Sequence, residues 1–205
     1  MDNIKRRDAE LSKKNILHAA ETLFAQKGYH LTTLADIAEL SGVSRTTPSY
    51  FFENKEQLYK KVIENLIEDE KNYVNTLILK EGELTVEALK TILSRHIDYT
   101  FKHPNLTKIL VAESLNENRQ SWILDFFPDM ISWSYKYLED AQNIGIIRQD
   151  IDTNTLWLNA MAMAWLPIIT QHTFLKLIGK DFTDEDFIKH HKKQMETLIF
   201  ESILK

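Results

Sequence analysis

Residues 32–55 read TTLADIAELSGVSRTTPSYFFENK, two short helix-compatible segments on either side of Ser41-Gly42-Val43. So short a link leaves room only for a sharp turn, and that turn fixes how the flanking helices must cross. Thr33 stands where an N-cap belongs, and Leu34, Ile37, Ala38 and Val43 supply an apolar side for packing against neighbouring helices. Gly42 follows the last periodic residue, Leu40, and tolerates the left-handed conformation of a tight turn. Ser44 is placed to cap a second helix whose first exposed positions are Arg45, Thr46 and Thr47. In a helix-turn-helix the N-terminal residues of the second helix reach base edges, and an arginine there pairs bidentately with guanine. Asn54, with Gln57 three residues on, has capping-box spacing for a third helix. Lys55 lies at its start, where a phosphate would meet both a cation and free backbone N–H groups.

Charge is distributed in keeping with a nucleic-acid contact confined to the N-terminal part. The whole chain carries a formal charge of −5, which argues against general coating of nucleic acid. Residues 1–61 hold ten Lys and Arg against eight Asp and Glu, about +2, and the remainder fifteen against twenty-two, about −7. Lys5, Arg6 and Arg7 suit an arm on phosphates or in a minor groove, and a solvated tail equally. The absence of cysteine excludes disulfides, thiolate metal sites and a cysteine nucleophile. The charged N-terminus lacks the apolar core of a signal peptide. The longest apolar stretch, LWLNAMAMAWLPII, is interrupted by Asn159 and Pro167 and falls short of a membrane span. A soluble, cytoplasmic protein without a membrane partner is expected.

Helical periodicity covers the rest. It predicts helices over residues 12–27, 55–79, 85–103, 105–115, 120–144 with a break or kink at Pro128, 153–177 and 184–204. The helix over 153–177 is apolar almost all the way round, which in a soluble protein means burial on several sides. The last helix is amphipathic, with Phe187, Met195, Leu198, Ile199 and Ile203 on its apolar face. Asp186, His190 and His191 are too few for a zinc site and read as solvated side chains. No catalytic or metal-binding motif is present, so neither an enzyme nor a cofactor is expected.

The segment over 16–59, with its phrases LFAQKGY, TTLADIAELSGVS and FFENKEQLY in order, resembles the N-terminal domain of the TetR family of bacterial transcriptional regulators. The later phrase GIIRQDIDTNTLWLNAMAMAWLPI also looks like that family. The resemblance implies an all-α fold of about nine helices. Residues 1–54 would form a three-helix DNA-binding domain, and 55–205 a larger helical bundle for effector binding and dimerisation. It further implies a homodimer paired through its last two helices, and repression of a pseudo-palindromic operator relieved by a small, hydrophobic effector. Two departures concern the recognition helix. Pro48 stands where the family usually has leucine, and Ser49 and Phe51 stand where hydroxylated or imidazole-bearing aromatics are common, leaving Tyr50 as the phenol there. The expected DNA-contacting set is Thr33, Ser44, Arg45, Thr46, Thr47, Ser49, Tyr50 and Lys55.

The second domain is rich in aromatics. Tyr99, Trp122, Phe126, Trp133, Trp157 and Trp165, with His96 and Asn159 as polar contacts, are candidates for an apolar ligand pocket. Gln171 and His172 are further polar candidates. Core packing is the competing account of each single aromatic. A helical protein-interaction module that has lost specific DNA binding is the alternative reading of the whole chain.

Overall fold

Short oxygen-bearing side chains set where half of the described helices begin. Thr33 Oγ1 accepts from Asp36 N at 3.1 Å while Asp36 Oδ2 accepts from Thr33 N at 3.1 Å, a complete capping box. Asn54 Oδ1 accepts from Gln57 N, Thr85 Oγ1 from Ala88 N and Asp152 Oδ1 from Thr155 N. Asp184 Oδ1 accepts from Asp186 N and Phe187 N. Each bond satisfies a donor that the first helical turn leaves without a partner.

The computed structural model describes residues 2–78, 84–115 and 121–204. Among them run ten helices: α1 (Asp2–Leu31), α2 (Leu34–Ser41), α3 (Thr47–Phe52), α4 (Lys55–Ile78), α5 (Val86–Lys102), α6 (Pro104–Ser114), α7 (Ser121–Asn143), α8 (Thr153–Ile169), α9 (Phe174–Leu177) and α10 (Glu185–Ile203). The all-α expectation holds, with one short helix more than the periodicity counted. The expected last residue of the helix over 55–79 and the expected first residue of the helix over 120–144 lie outside the described residues.

Two apolar cores organise the chain. In the first, Ile16, Phe24, Ile37, Leu58, Tyr59 and Ile109 join α1, α2, α4 and α6. In the second, Ile97, Ala141, Ala164, Met195 and Phe200 join α5, α7, α8 and α10. Trp165 of α8 packs against both. An antiparallel bridge between Ile147 and Leu204, with Arg148 N donating to the Ile203 carbonyl at 3.0 Å, ties the end of α10 to the α7–α8 link.

Several helix bounds differ from the sequence expectation for local reasons. α1 takes in residues 2–11, so Arg6 and Arg7 are exposed on a helix and do not form an extended arm. Gly28 interrupts it at φ 76°. α7 runs through Pro128. The helix expected over 153–177 ends at Ile169, and after a turn α9 follows. Pro167 is the cause: lacking an N–H, it leaves the Met163 carbonyl without its helical donor. His191 of α10 supplies the replacement, its Nε2 lying 2.9 Å from that carbonyl oxygen. His191 is therefore half-buried, stacked on Phe187 at 5.5 Å, and not a solvated side chain.

Gly42 has φ 70° and ψ 26°, and its N–H reaches the carbonyls of Ala38 and Glu39. Gly42→Ala meets no steric obstacle but must hold a left-handed backbone, so it should lower stability by roughly 1 kcal/mol. Gly42→Asn should cost less. Urea unfolding of the three proteins checks the order.

Candidate DNA-reading face and ligand cavity

The turn after α2 presents a short, exposed helix. α3 begins late, at Thr47, because Pro48 occupies its first turn, where a missing N–H costs nothing. Ser44 does not cap it by the expected side-chain to backbone bond. Its Oγ instead lies 2.7 Å from Thr47 Oγ1, and its carbonyl accepts from Thr47 N at 3.0 Å. Ser44, Arg45, Thr46, Ser49 and Tyr50 are exposed, with Tyr50 at 82%. Pro48 and Phe52 turn inward, and half-buried Phe51 packs against the first core, its ring 5.2 Å from Tyr50. Thr33 is exposed at the start of α2, its side chain engaged in the capping box. One face of the α2–α3 unit thus brings together most of the expected DNA-contacting residues.

Lys55 is placed differently. Its ammonium donates to the carbonyls of Tyr29 at 2.9 Å and Thr32 at 3.1 Å, and lies 4.3 Å from the centre of the Tyr29 ring. Burial holds its pKa below the ordinary lysine value. The side chain thereby tethers the end of α1 to the start of α4. Between α3 and α4, Glu53 adopts φ 62° and ψ −62°, and Asn54 N donates to the Phe52 carbonyl at 2.6 Å, a strained three-residue turn with no sequence signal.

The second region is a two-lobed apolar cavity among α4, α5, α6, α7, α8 and α10. Its lobes measure ≈ 290 Å³ and ≈ 70 Å³ and share His96, Trp133, Ser134, Trp157 and Met161. Ile67, Glu70, Leu110 and Trp165 line the larger lobe, and Tyr137 and Phe200 the smaller. Trp157 Nε1 donates to Ser134 Oγ at 3.0 Å. His96 Nδ1 and Glu70 Oε1 are 2.5 Å apart, both side chains 11% exposed. His96 Nε2 is buried without a hydrogen-bond partner among the described residues.

Of the expected pocket residues, His96, Trp133, Trp157 and Trp165 do meet at this cavity. Tyr99 does not line it. It is buried against Tyr73 and His103, and its hydroxyl donates to the Leu66 carbonyl at 3.0 Å. Asn159 and His172 are exposed and line neither lobe, nor does Gln171. The side chains of Trp122 and Phe126 lie outside the described residues. Glu70 went unread in the sequence, though a signal was there: it falls on the apolar stripe of α4, among Ile63, Leu66, Ile67 and Val74.

Glu113 interrupts the stripe of α6 in the same way, and the structure explains it. Tyr59 Oη donates to Glu113 Oε1 at 2.6 Å inside the protein. Burial and the neighbouring carboxylate push the Tyr59 phenol far above its usual range, so it stays a donor. Its ring packs edge-on to Phe24 at 4.6 Å and against Tyr29 at 4.9 Å. The neighbours of Glu113 on α6, Leu110 and Ser114, line the larger lobe.

A helix-turn-helix unit resting on a helical domain with an internal apolar cavity is the architecture of one class of bacterial DNA-binding regulator. Residues 16–62 match the family described as "Bacterial regulatory proteins, tetR family", and residues 86–199 match "Tetracyclin repressor-like, C-terminal domain". The chain belongs to the TetR family of bacterial transcriptional regulators.

It is similar to the HTH-type transcriptional regulator RutR of Escherichia coli (strain K12), 32% identical over 110 residues. That match covers 53% of this chain and 50% of RutR, so the chain spans about half the length of this curated relative. The HTH-type transcriptional repressor NicS of Pseudomonas putida is 23% identical over 186 residues, 89% of this chain and 87% of NicS. Two solved structures share the fold. A TetR family transcription regulator from Marinobacter aquaeolei VT8 has TM-score 0.74 at 14% identity, covering 98% of this chain and 99% of that one. The ketosteroid transcriptional regulator KstR2 of Mycobacterium tuberculosis has TM-score 0.67 at 16% identity, covering 93% of each. Among the described residues no helix is long and apolar enough to cross a membrane.

Because the Lys55 ammonium donates to two carbonyls, Lys55→Met should lower stability by about 2 kcal/mol, read by urea unfolding. Tyr50→Phe should leave stability unchanged while weakening binding to all duplexes alike, since it removes an exposed phenol suited to a phosphate. Gel-shift titrations on several sequences check the second.

Proposed function

We propose that this protein is a cytoplasmic, non-catalytic, ligand-responsive repressor that binds a pseudo-palindromic operator as a homodimer and is released by a small, mainly apolar effector. Residues 1–54 carry the DNA contact and 55–205 the effector and dimer surfaces, with α4 shared between them. Ser44, Arg45, Thr46, Thr47, Ser49 and Tyr50 address the major groove and its phosphates, Thr33 the flanking backbone. Lys55 keeps one N–H for a phosphate beyond the two it gives to carbonyls.

Dimerisation is supported by apolar surface that a lone chain leaves wet. Leu158, Ala162, Leu166 and Ile169 form one exposed stripe along α8, and Phe174, Leu177 and Leu198 add to it from α9 and α10. Contiguous apolar area of this kind marks an interface. Leu158 also lines the larger lobe, so the cavity adjoins the stripe.

The observation that carries the regulatory reading is that α4 and α6 each serve both regions. α4 gives Leu58, Tyr59 and Val62 to the first core and Ile67 and Glu70 to the cavity. α6 gives Ile109 to that core, Ser114 to the cavity and Glu113 to Tyr59. An effector that favours a different packing of α4 against α6 therefore shifts the helix-turn-helix unit, and with it the spacing of two recognition helices that must sit roughly 34 to 36 Å apart. Expressed as linkage, the effector and the operator weaken each other's binding by the same factor.

Selection of duplexes from a random pool at near-physiological salt tests the DNA reading. Enrichment of an inverted repeat that is lost with Arg45→Ala is expected, and no enrichment would favour the interaction-module alternative. The coupling has its own test. Tyr59→Phe should keep operator affinity within a fewfold but reduce the loss of affinity that a bound effector causes, measured by fluorescence anisotropy of the selected duplex.

A further inference from the structure

The cavity says more about its ligand than that it is apolar. Its larger lobe is walled by Trp133, Trp157 and Trp165 with Ile67, Leu110 and Met161, a lining that suits a flat or compact ring system. The charged and titratable groups among the described residues lining the larger lobe are Glu70 and His96, already paired with each other, and the smaller lobe adds the Tyr137 phenol. No lysine or arginine is among them. The adjacent Arg95 turns elsewhere, donating to the Tyr73 carbonyl at 2.6 Å.

His96 is the exception in this apolar setting. It is 9% exposed and lines both lobes, and its Nδ1 is held by Glu70. Its Nε2 is buried with no partner among the described residues. An unpaired polar atom in an apolar interior costs stability unless a bound molecule completes it.

We infer that the cavity takes an uncharged, ring-bearing molecule with a hydroxyl group, and that the hydroxyl pairs with His96 Nε2 while the ring lies among the tryptophans. The inference rests on the reading of this cavity as the effector site. A hydroxyl both donates and accepts, so it satisfies Nε2 whichever way the proton is shared with Glu70. A carboxylate would place a second negative charge beside Glu70 with no cation to offset it beyond the already paired His96. A pure hydrocarbon would fill the lobes and leave Nε2 unpaired. Glu70 acts on the ligand through the imidazole, as a positioning residue.

Equilibrium dialysis of the full chain, without DNA, against naphthol, naphthalene and naphthoate substituted at the same carbon tests the assignment. Naphthol should bind about tenfold tighter than naphthalene, the worth of one buried hydrogen bond, and naphthoate should bind weakest. Equal binding of naphthol and naphthalene, tightest binding of naphthoate, or no saturable binding of any of them would overturn it. His96→Phe should bring naphthol and naphthalene to within about twofold of each other. Glu70→Gln, closer in shape to the native residue, should narrow the gap as well. A full hydroxyl preference in a folded variant of either residue would remove the His96–Glu70 pair from the site. Failure here is distinguishable from failure of the regulatory reading. A hydroxyl preference with no effect on operator binding would refute the coupling alone, and operator release with no hydroxyl preference would refute the ligand class alone.

Discussion

Everything in this molecule depends on α4 being buried at both ends of its described length by different partners. Its first turns pack into the helix-turn-helix core through Leu58, Tyr59, Val62 and Ile63, and its later turns meet the cavity through Ile67 and Glu70. The Tyr59–Glu113 bond joins α4 to α6 at the boundary. In a close-packed interior such a joint has few alternative arrangements. A buried phenol that has lost its carboxylate, or the reverse, would leave a polar group without compensation. The two regions are thus connected by packing and by a directional bond, a stiffer connection than a linker would give.

The parts of this design legible in the sequence are those governed by local rules. Thr33, Gly42, Asn54, Thr85, Asp152 and Asp184 announce turns and helix starts because each acts on backbone within four residues of itself. His96, Trp133, Trp157 and Trp165 could be named as pocket candidates because they sit on helices that a pocket would need. Their convergence could not be read, since helical periodicity fixes a residue's face but not what lies across from it. Tyr99, equally aromatic, turned out to be a core residue with a satisfied hydroxyl. The same limit explains Glu70 and Glu113. Each is visible as an acid on an apolar stripe, but its partner lies 26 residues away in the first case and 54 in the second. Lys55 illustrates a different limit. A lysine at a helix start invites a phosphate, and the carbonyls that engage it come from the preceding turn of another helix.

Electrostatics divides the labour in a way composition only hinted at. The exposed residues of α3 and of the turn before it carry hydroxyls, a phenol and Arg45, groups suited to phosphates and base edges without a large net charge. The remainder of the chain carries the excess of acidic residues. Its consequential carboxylates are two buried ones, each occupied by a single aromatic side chain, Glu70 by His96 and Glu113 by Tyr59. The two proposed sites are therefore built from different chemistries, the one exposed to water, the other a cavity with few polar atoms.

Pro167 has a mechanical consequence beyond ending a helix. By freeing the Met163 carbonyl it opens a position on α8 that His191 of α10 fills, while Lys192, next in sequence, pairs with Asp98 of α5 at 2.6 Å. Sliding α10 along α8 by even part of a turn would part His191 from that carbonyl and Lys192 from Asp98. The α8–α10 pair is in effect a riveted plate, its rivet supplied by a residue usually counted as a helix breaker.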